Sequence, residues 1–159
     1  MEVIGKVYQR QVAYISAVGS VWQEALPSVN WVLLAIADKA AQVPANATAV
    51  CVRHGPAGIG CVGNYAGALE DSFDMEVVMQ ALAWEEAYGR AFDYSYAPIT
   101  TADSAIEEGL WYALTLAPGI CEGMIEIVVC LDFTGKCKQR VTELVDLINA
   151  GWFPPDLDK

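Results

Sequence analysis

Apolar residues fall into runs and periods that predict alternating strands and helices. Val7, Tyr8, Val12, Tyr14 and Ile15 make Ile4–Ser16 rich in strand formers, and Gly19-Ser20 breaks it. Pro27-Ser28 then offers a helix start, with Ser28 as N-cap. From Val29 to Val43 the spacing is read as a helix whose first half is apolar on nearly every side, stopped by Pro44. Ala47–Arg53 reads as a short strand, and residues 54–67 as a glycine-rich loop. Val77, Ala81, Trp84 and Tyr88 recur at helical spacing inside Ser72–Phe92, so one helix is expected there rather than a strand over Phe73–Met79 and a shorter helix.

Asp93–Asp103 reads as a polar, aromatic loop, and Gly109–Ala117 as a strand ended by Pro118-Gly119. Met124–Phe133 alternates most clearly, with Ile125, Ile127, Val129, Leu131 and Phe133 on one side and Glu126, Val128, Cys130 and Asp132 on the other. These two strands are expected to pair as a hairpin. A last helix over Lys136–Ala150 has Val141, Leu144, Val145 and Ile148 on its apolar face, with Gly151 as terminator. The order β-α-β-α-β-β-α lacks strict βαβ alternation. It predicts one α+β domain over residues 1–159, with a mixed or mainly antiparallel sheet of about four to five strands and helices on one face. An all-round apolar helix at Val29–Val43 in so short a chain also predicts a homodimer.

Composition narrows the function classes. Hydrophobic residues are 55% and charged residues 18% of the 159 positions, too apolar for disorder. Nine Lys and Arg stand against 20 Asp and Glu, which excludes the basic face that nucleic-acid binding needs. The charge is lopsided: residues 1–53 sum to +1 and residues 54–159 to −12. That field would attract a cationic ligand or a basic protein. The longest apolar run, Trp31–Ala37, is far too short to span a membrane. Five cysteines without a CxxC pair fit neither a disulfide scaffold nor a zinc site, and no basic-then-apolar leader follows Met1, so a cytoplasmic protein without a metal or cofactor is expected.

Four motifs carry candidate chemistry. Gly58-Ile59-Gly60-Cys61-Val62-Gly63 has the GxGxxG form, but no helix begins at its end and no acidic strand end follows, so dinucleotide binding is set aside in favour of a ligand-covering loop. His54, the single histidine, and Cys61 define a thiol-dependent enzyme as one alternative. Lys136, Lys138 and Arg140 crowd a helix start, where an anion would offset them. The sixteen aromatics weigh most: Trp84, Tyr88, Phe92, Tyr94 and Tyr96 form one cluster, Trp111 and Tyr112 another, and acids adjoin both. Glu126 and Asp132 are about 20 Å apart on one strand, too far for paired acid–base work.

Arg10-Gln11-Val12-Ala13-Tyr14-Ile15 followed by Gly19, and His54-Gly55-Pro56, resemble fragments of the GyrI-like effector-binding domains of multidrug-sensing regulators. The resemblance implies a duplicated βαββ fold and a pocket for cationic aromatic compounds; the second half of the chain departs from that pattern. The reading adopted from the residues is a non-catalytic domain binding a small apolar or cationic molecule. Its walls would be Trp84, Tyr88, Trp111 and Tyr112, and its charge Glu108 or Glu126. The other alternative is an acidic interaction or immunity-type inhibitor module that docks a basic protein.

Overall fold

The computed structural model describes residues 1–19, 21–115, 117–120 and 124–155; Cys121 and Ser20 lie outside them. One mixed sheet of six strands organises the chain, in the order β1-β2-β6-β3-β4-β5. The strands are β1 (Glu2–Val7), β2 (Arg10–Ser16), β3 (Trp31–Ile36), β4 (Gly58–Val62), β5 (Ile99–Asp103) and β6 (Ile127–Asp132). Only β1 runs antiparallel to its neighbour; β2, β6, β3, β4 and β5 are mutually parallel.

Helices cover both faces, not one. On the first face α1 (Ala47–Arg53) and α2 (Ala66–Tyr88) pack with Trp22 and Leu26 over Trp31, Leu33, Ile59, Val129 and Leu131. On the second, α3 (Ile106–Thr115), the short α4 (Ala117–Ile120) and α5 (Lys138–Asn149) pack over Val12, Val32, Leu34, Val62 and Val128. The β3-α1-β4 and β4-α2-β5 units step outward along one face. The chain then returns across the other through α3 and inserts β6 between β2 and β3. A single mixed sheet packed with helices is as expected. The mainly antiparallel alternative, the single helical face and the duplicated βαββ arrangement are not what the chain builds.

The misread elements have physical causes. The region expected as an apolar helix contains β3, every residue of which is buried. A central parallel strand covered on both faces has no polar side, so its sequence is a continuous apolar run. The premise for the homodimer therefore falls. Ala47–Arg53 and the described part of Gly109–Ala117, expected as strands, belong to helices: Ala47, Val50 and Cys51 are buried at helical spacing in α1, and Leu110, Ala113 and Leu114 in α3; residue 116 lies outside the described residues. The hairpin expected before β6 is thus absent. The single strand expected over Ile4–Ser16 is the hairpin β1–β2, turned at Tyr8 and Gln9 with φ of 46° and 74°. Such a turn usually declares itself by Asn-Gly, which this sequence lacks. The expected loop over Asp93–Asp103 ends in β5, an edge strand polar enough to read as loop.

Three expectations hold. Residues 72–88 lie in one helix, and β6 falls inside Met124–Phe133. The apolar face of α5 is buried as its spacing requires. Of the GxGxxG glycines, Gly58 and Gly60 lie inside β4 rather than in a loop, and Gly63 lies just after it at a φ of 101°. A Cβ on Gly60 would stand 3.1 Å from Leu34 Cδ1, and one on Gly109 in α3 would stand 2.1 Å from Val62 Cγ1. Bare backbone lets α3 lie close on β4.

Candidate functional site

Parallel sheets commonly bind ligands at the carboxyl ends of their strands, near a switch in strand order. Here β6 ends at that switch on Asp132, a carboxylate with no exposed surface. Its Oδ2 accepts from the Tyr14 hydroxyl and the Cys137 N–H, both at 2.7 Å. Its Oδ1 accepts from the Thr134 N–H at 2.8 Å and the Thr134 hydroxyl at 2.7 Å. Burial pushes the Asp132 carboxyl up, but these donors outweigh it and hold its pKa below the usual value. Tyr14 moves the other way, raised by burial and then by the anion it serves. Asp132 is fully occupied in tying the start of α5 to β2. The fold spends this end of the sheet on anchoring.

The amino ends of the strands leave a cleft of about 460 Å³. Ser28–Asn30 before β3, Gly55–Ala57 before β4, Ala97-Pro98 before β5 and Ile125 before β6 form its floor and rim. The second half of α2 supplies one wall through Val77, Gln80, Ala81 and Trp84; Phe92 and Tyr96 supply the other. Among the described residues, none that lines it is charged. The aromatic wall is braced from behind. Tyr88 stacks on Trp84 at 4.9 Å, Phe92 meets Trp84 edge-on at 5.7 Å, and Tyr94 meets Phe92 edge-on at 5.2 Å. The Arg90 guanidinium lies 5.0 Å from the Trp84 ring centroid. Glu85 accepts from the Phe92 N–H at 2.8 Å and fixes the turn that carries Phe92.

Of the six expected site residues, only Trp84 lines this cleft. Tyr88 is its outer support and is exposed. Glu126 is exposed beside the rim; Asn30 Nδ2 donates to its Oε1 at 3.3 Å, and the carboxylate faces a neighbouring groove with Lys6 and Gln11. Trp111 and Tyr112 pack with α3 on the second face, and Glu108 sits half-buried on the same helix. Trp111, Tyr112 and Glu108 are not brought together with Trp84. Asn30, Gln80, Phe92 and Tyr96 complete the cleft instead. Phe92 and Tyr96 belong to the aromatic cluster visible in the sequence, whereas Asn30 and Gln80 are placed only by the fold.

The remaining motifs resolve into structure. His54 Nδ1 donates to the Pro27 carbonyl at 3.1 Å, and the His54 carbonyl accepts from Trp31 Nε1 at 3.2 Å. Cys61 is fully buried in β4, and burial, then nearby Glu70 and Asp74, push its thiol far up. Burial pushes Cys51 up to about 12. Nothing here activates a thiolate. Two of the three clustered bases are paired within the fold: Lys138 with Glu2 at 2.7 Å, and Arg140 with Glu107 and Glu143. Among the described residues no group of three or more His, Cys, Asp or Glu is placed to hold a metal ion, and no helix is long and apolar enough to cross a membrane.

Residues 9–149 match a family known as a domain of unknown function, DUF7684. The chain belongs to that family. The match runs from the β1–β2 turn to the end of α5, so it takes in β2–β6, all five helices and both ends of the sheet described above. No curated protein and no solved structure matches the chain.

Proposed function

We propose that the amino-edge cleft binds a neutral, flat, largely apolar small molecule, and that the domain is a binding module rather than an enzyme. The observation that carries this reading is an aromatic-walled cavity of about 460 Å³ with no charged side chain among its described lining residues. That volume is in the range that encloses drug-sized ligands, which are held by apolar walls and oriented by a few polar groups. Trp84, Phe92 and Tyr96 supply the ring surfaces, and Asn30 and Gln80 bring amides to the rim. Among its described residues the lining offers no carboxylate, thiol or imidazole for acid–base or nucleophilic work.

Two features narrow the ligand from the apolar or cationic class to the neutral side. Arg90 already takes the cationic position over Trp84. The carboxylates bonded to the rim amides, Glu126 on Asn30 and Glu76 on Gln80, are engaged by those hydrogen bonds and do not line the cleft. Thermal-shift screening with matched neutral and cationic aromatic compounds tests the proposal. Neutral compounds should raise Tm at least as much as their cationic partners, and Trp84→Ala should abolish the shift. A shift that survives in Trp84→Ala, or a consistent preference for the cations, would overturn it.

A further inference from the structure

Helix α2 has a second face that the fold leaves unused. Leu69, Phe73 and Ala81 point into the core, and Val77 packs against it. Turned away from them, Met75, Met79 and Leu82 are 63%, 55% and 51% exposed, with Val78 beside them. These positions are three or four apart and form one stripe on the solvent side. Acids frame it: Asp71 lies one turn before Met75 and Glu86 one turn after Leu82, with Asp74 and Glu85 along one flank, where they also accept from the Thr100 hydroxyl and the Phe92 N–H. The 23-residue helix carries six acids and no base. No ion pair among the described residues involves any of its carboxylates.

We propose that this outward face of α2 docks a cationic amphipathic helix from a partner protein. Methionine side chains are flexible and polarisable, which suits a surface that must fit another helix. Helix-on-groove recognition uses apolar anchors at this spacing, with charge setting specificity. The charge also decides against a second copy of the chain. Antiparallel pairing would set the Asp71 end of one α2 against the Glu86 end of the other, and parallel pairing would set each acid beside its equal. A partner with lysines or arginines flanking its apolar stripe meets complementary charge on both ends and along the flank. The face is opposite to the Trp84 cleft wall, so this inference does not depend on the cleft.

The probe is a labelled Leu/Lys peptide about five turns long, with leucines on one face, compared with a scrambled peptide of equal composition and a Leu/Glu peptide of equal pattern. Fluorescence anisotropy should show the patterned Leu/Lys peptide binding at least about tenfold more tightly than either control, and more weakly as salt rises. The M75S/M79S/L82S protein should lose about tenfold in affinity, and so should D71N/E86Q, which keeps every apolar side chain. Trp84→Ala should bind as the parent does. Equal binding of the scrambled peptide, or indifference to both sets of substitutions, overturns the proposal. So does a dimer in sedimentation that M75S/M79S/L82S disperses, because a second copy would then be the occupant.

Discussion

Replacing Asp132 with asparagine tests whether the carboxyl end of the sheet is an anchor. The carboxylate offers two acceptor oxygens, and each receives two donors at 2.7 to 2.8 Å. An asparagine keeps the shape but supplies one oxygen and one NH2 group. If the NH2 faces Tyr14 and Cys137, the hydroxyl can rotate to accept, but the Cys137 N–H has no acceptor. If it faces Thr134, the hydroxyl can rotate and the Thr134 N–H is stranded. Either way one backbone donor is orphaned, at about 1–3 kcal/mol, and the charge assistance of the remaining bonds is lost. The expected loss is about 2–4 kcal/mol, a large share of a typical domain's stability.

Urea unfolding reads this directly: the midpoint of Asp132→Asn should fall with m unchanged. Tyr14→Phe removes one donor to the same anion and should cost about 1.5–3 kcal/mol, with the double variant less than additive. The pH dependence has a definite sign. The folded pKa of Asp132 is lowered, so its contribution is complete above the unfolded value of about 3.9 and is lost as pH falls through the lower folded value. The gap between parent and Asp132→Asn should therefore close in that acid window and be constant above about pH 5. A loss under about 1 kcal/mol at neutral pH, or a gap that widens on acidification, would refute the anchoring argument.

Gly109→Ala should destabilise by about 1–2 kcal/mol despite better helix propensity, because its Cβ would meet Val62 Cγ1 at 2.1 Å; adding Val62→Ala should recover part of the loss in the same denaturation assay, and strict additivity would mean that close approach is not the cause. Alkylation of the native protein in a Cys121→Ser background should reach Cys137 alone, because Cys51, Cys61 and Cys130 are fully buried while Cys137 is half-buried. Burial raises the Cys137 pKa, and Asp132 and Asp38 add to it against the Thr134 hydrogen bond, so labelling should accelerate into the alkaline range. Mass spectrometry showing Cys61 labelled as fast as Cys137 at neutral pH would restore the thiol-enzyme reading.

How much of this was legible in the sequence depends on how far each element's surroundings imprint a period. Helix α5 has one buried side and one wet side, so Val141, Leu144, Val145 and Ile148 announce it. Strand β3 has two buried sides and announces nothing, because an apolar run of that length fits a strand or a buried helix equally. Helix α1 is short and carries Val50 and Val52, whose β-branching outweighed the spacing of Ala47, Val50 and Cys51. Each of these errors moved a sheet face. Taking α3 for a strand paired to β6 put Trp111 and Tyr112 next to the wrong neighbours. Trp84 and Tyr88 share the clear period of α2, yet Trp84 lines the cleft while Tyr88, one turn on, is its exposed support.

Helix α2 shows where that logic stops. A surface helix normally has a polar outer side, and the wet face of α5 follows that rule, with Lys138, Arg140, Glu143 and Asp146 exposed around a single exposed Leu147. Nothing in the monomer calls for Met75, Val78, Met79 and Leu82 at the solvent. Removing them would cost the core nothing, since Leu69, Phe73 and Ala81 already fix the inner face. Contiguous exposed apolar side chains raise the risk of aggregation, and the surrounding carboxylates oppose self-association through like charge. A stripe that the fold does not need, protected by charges that repel its own copy, is what a docking surface for a basic partner requires.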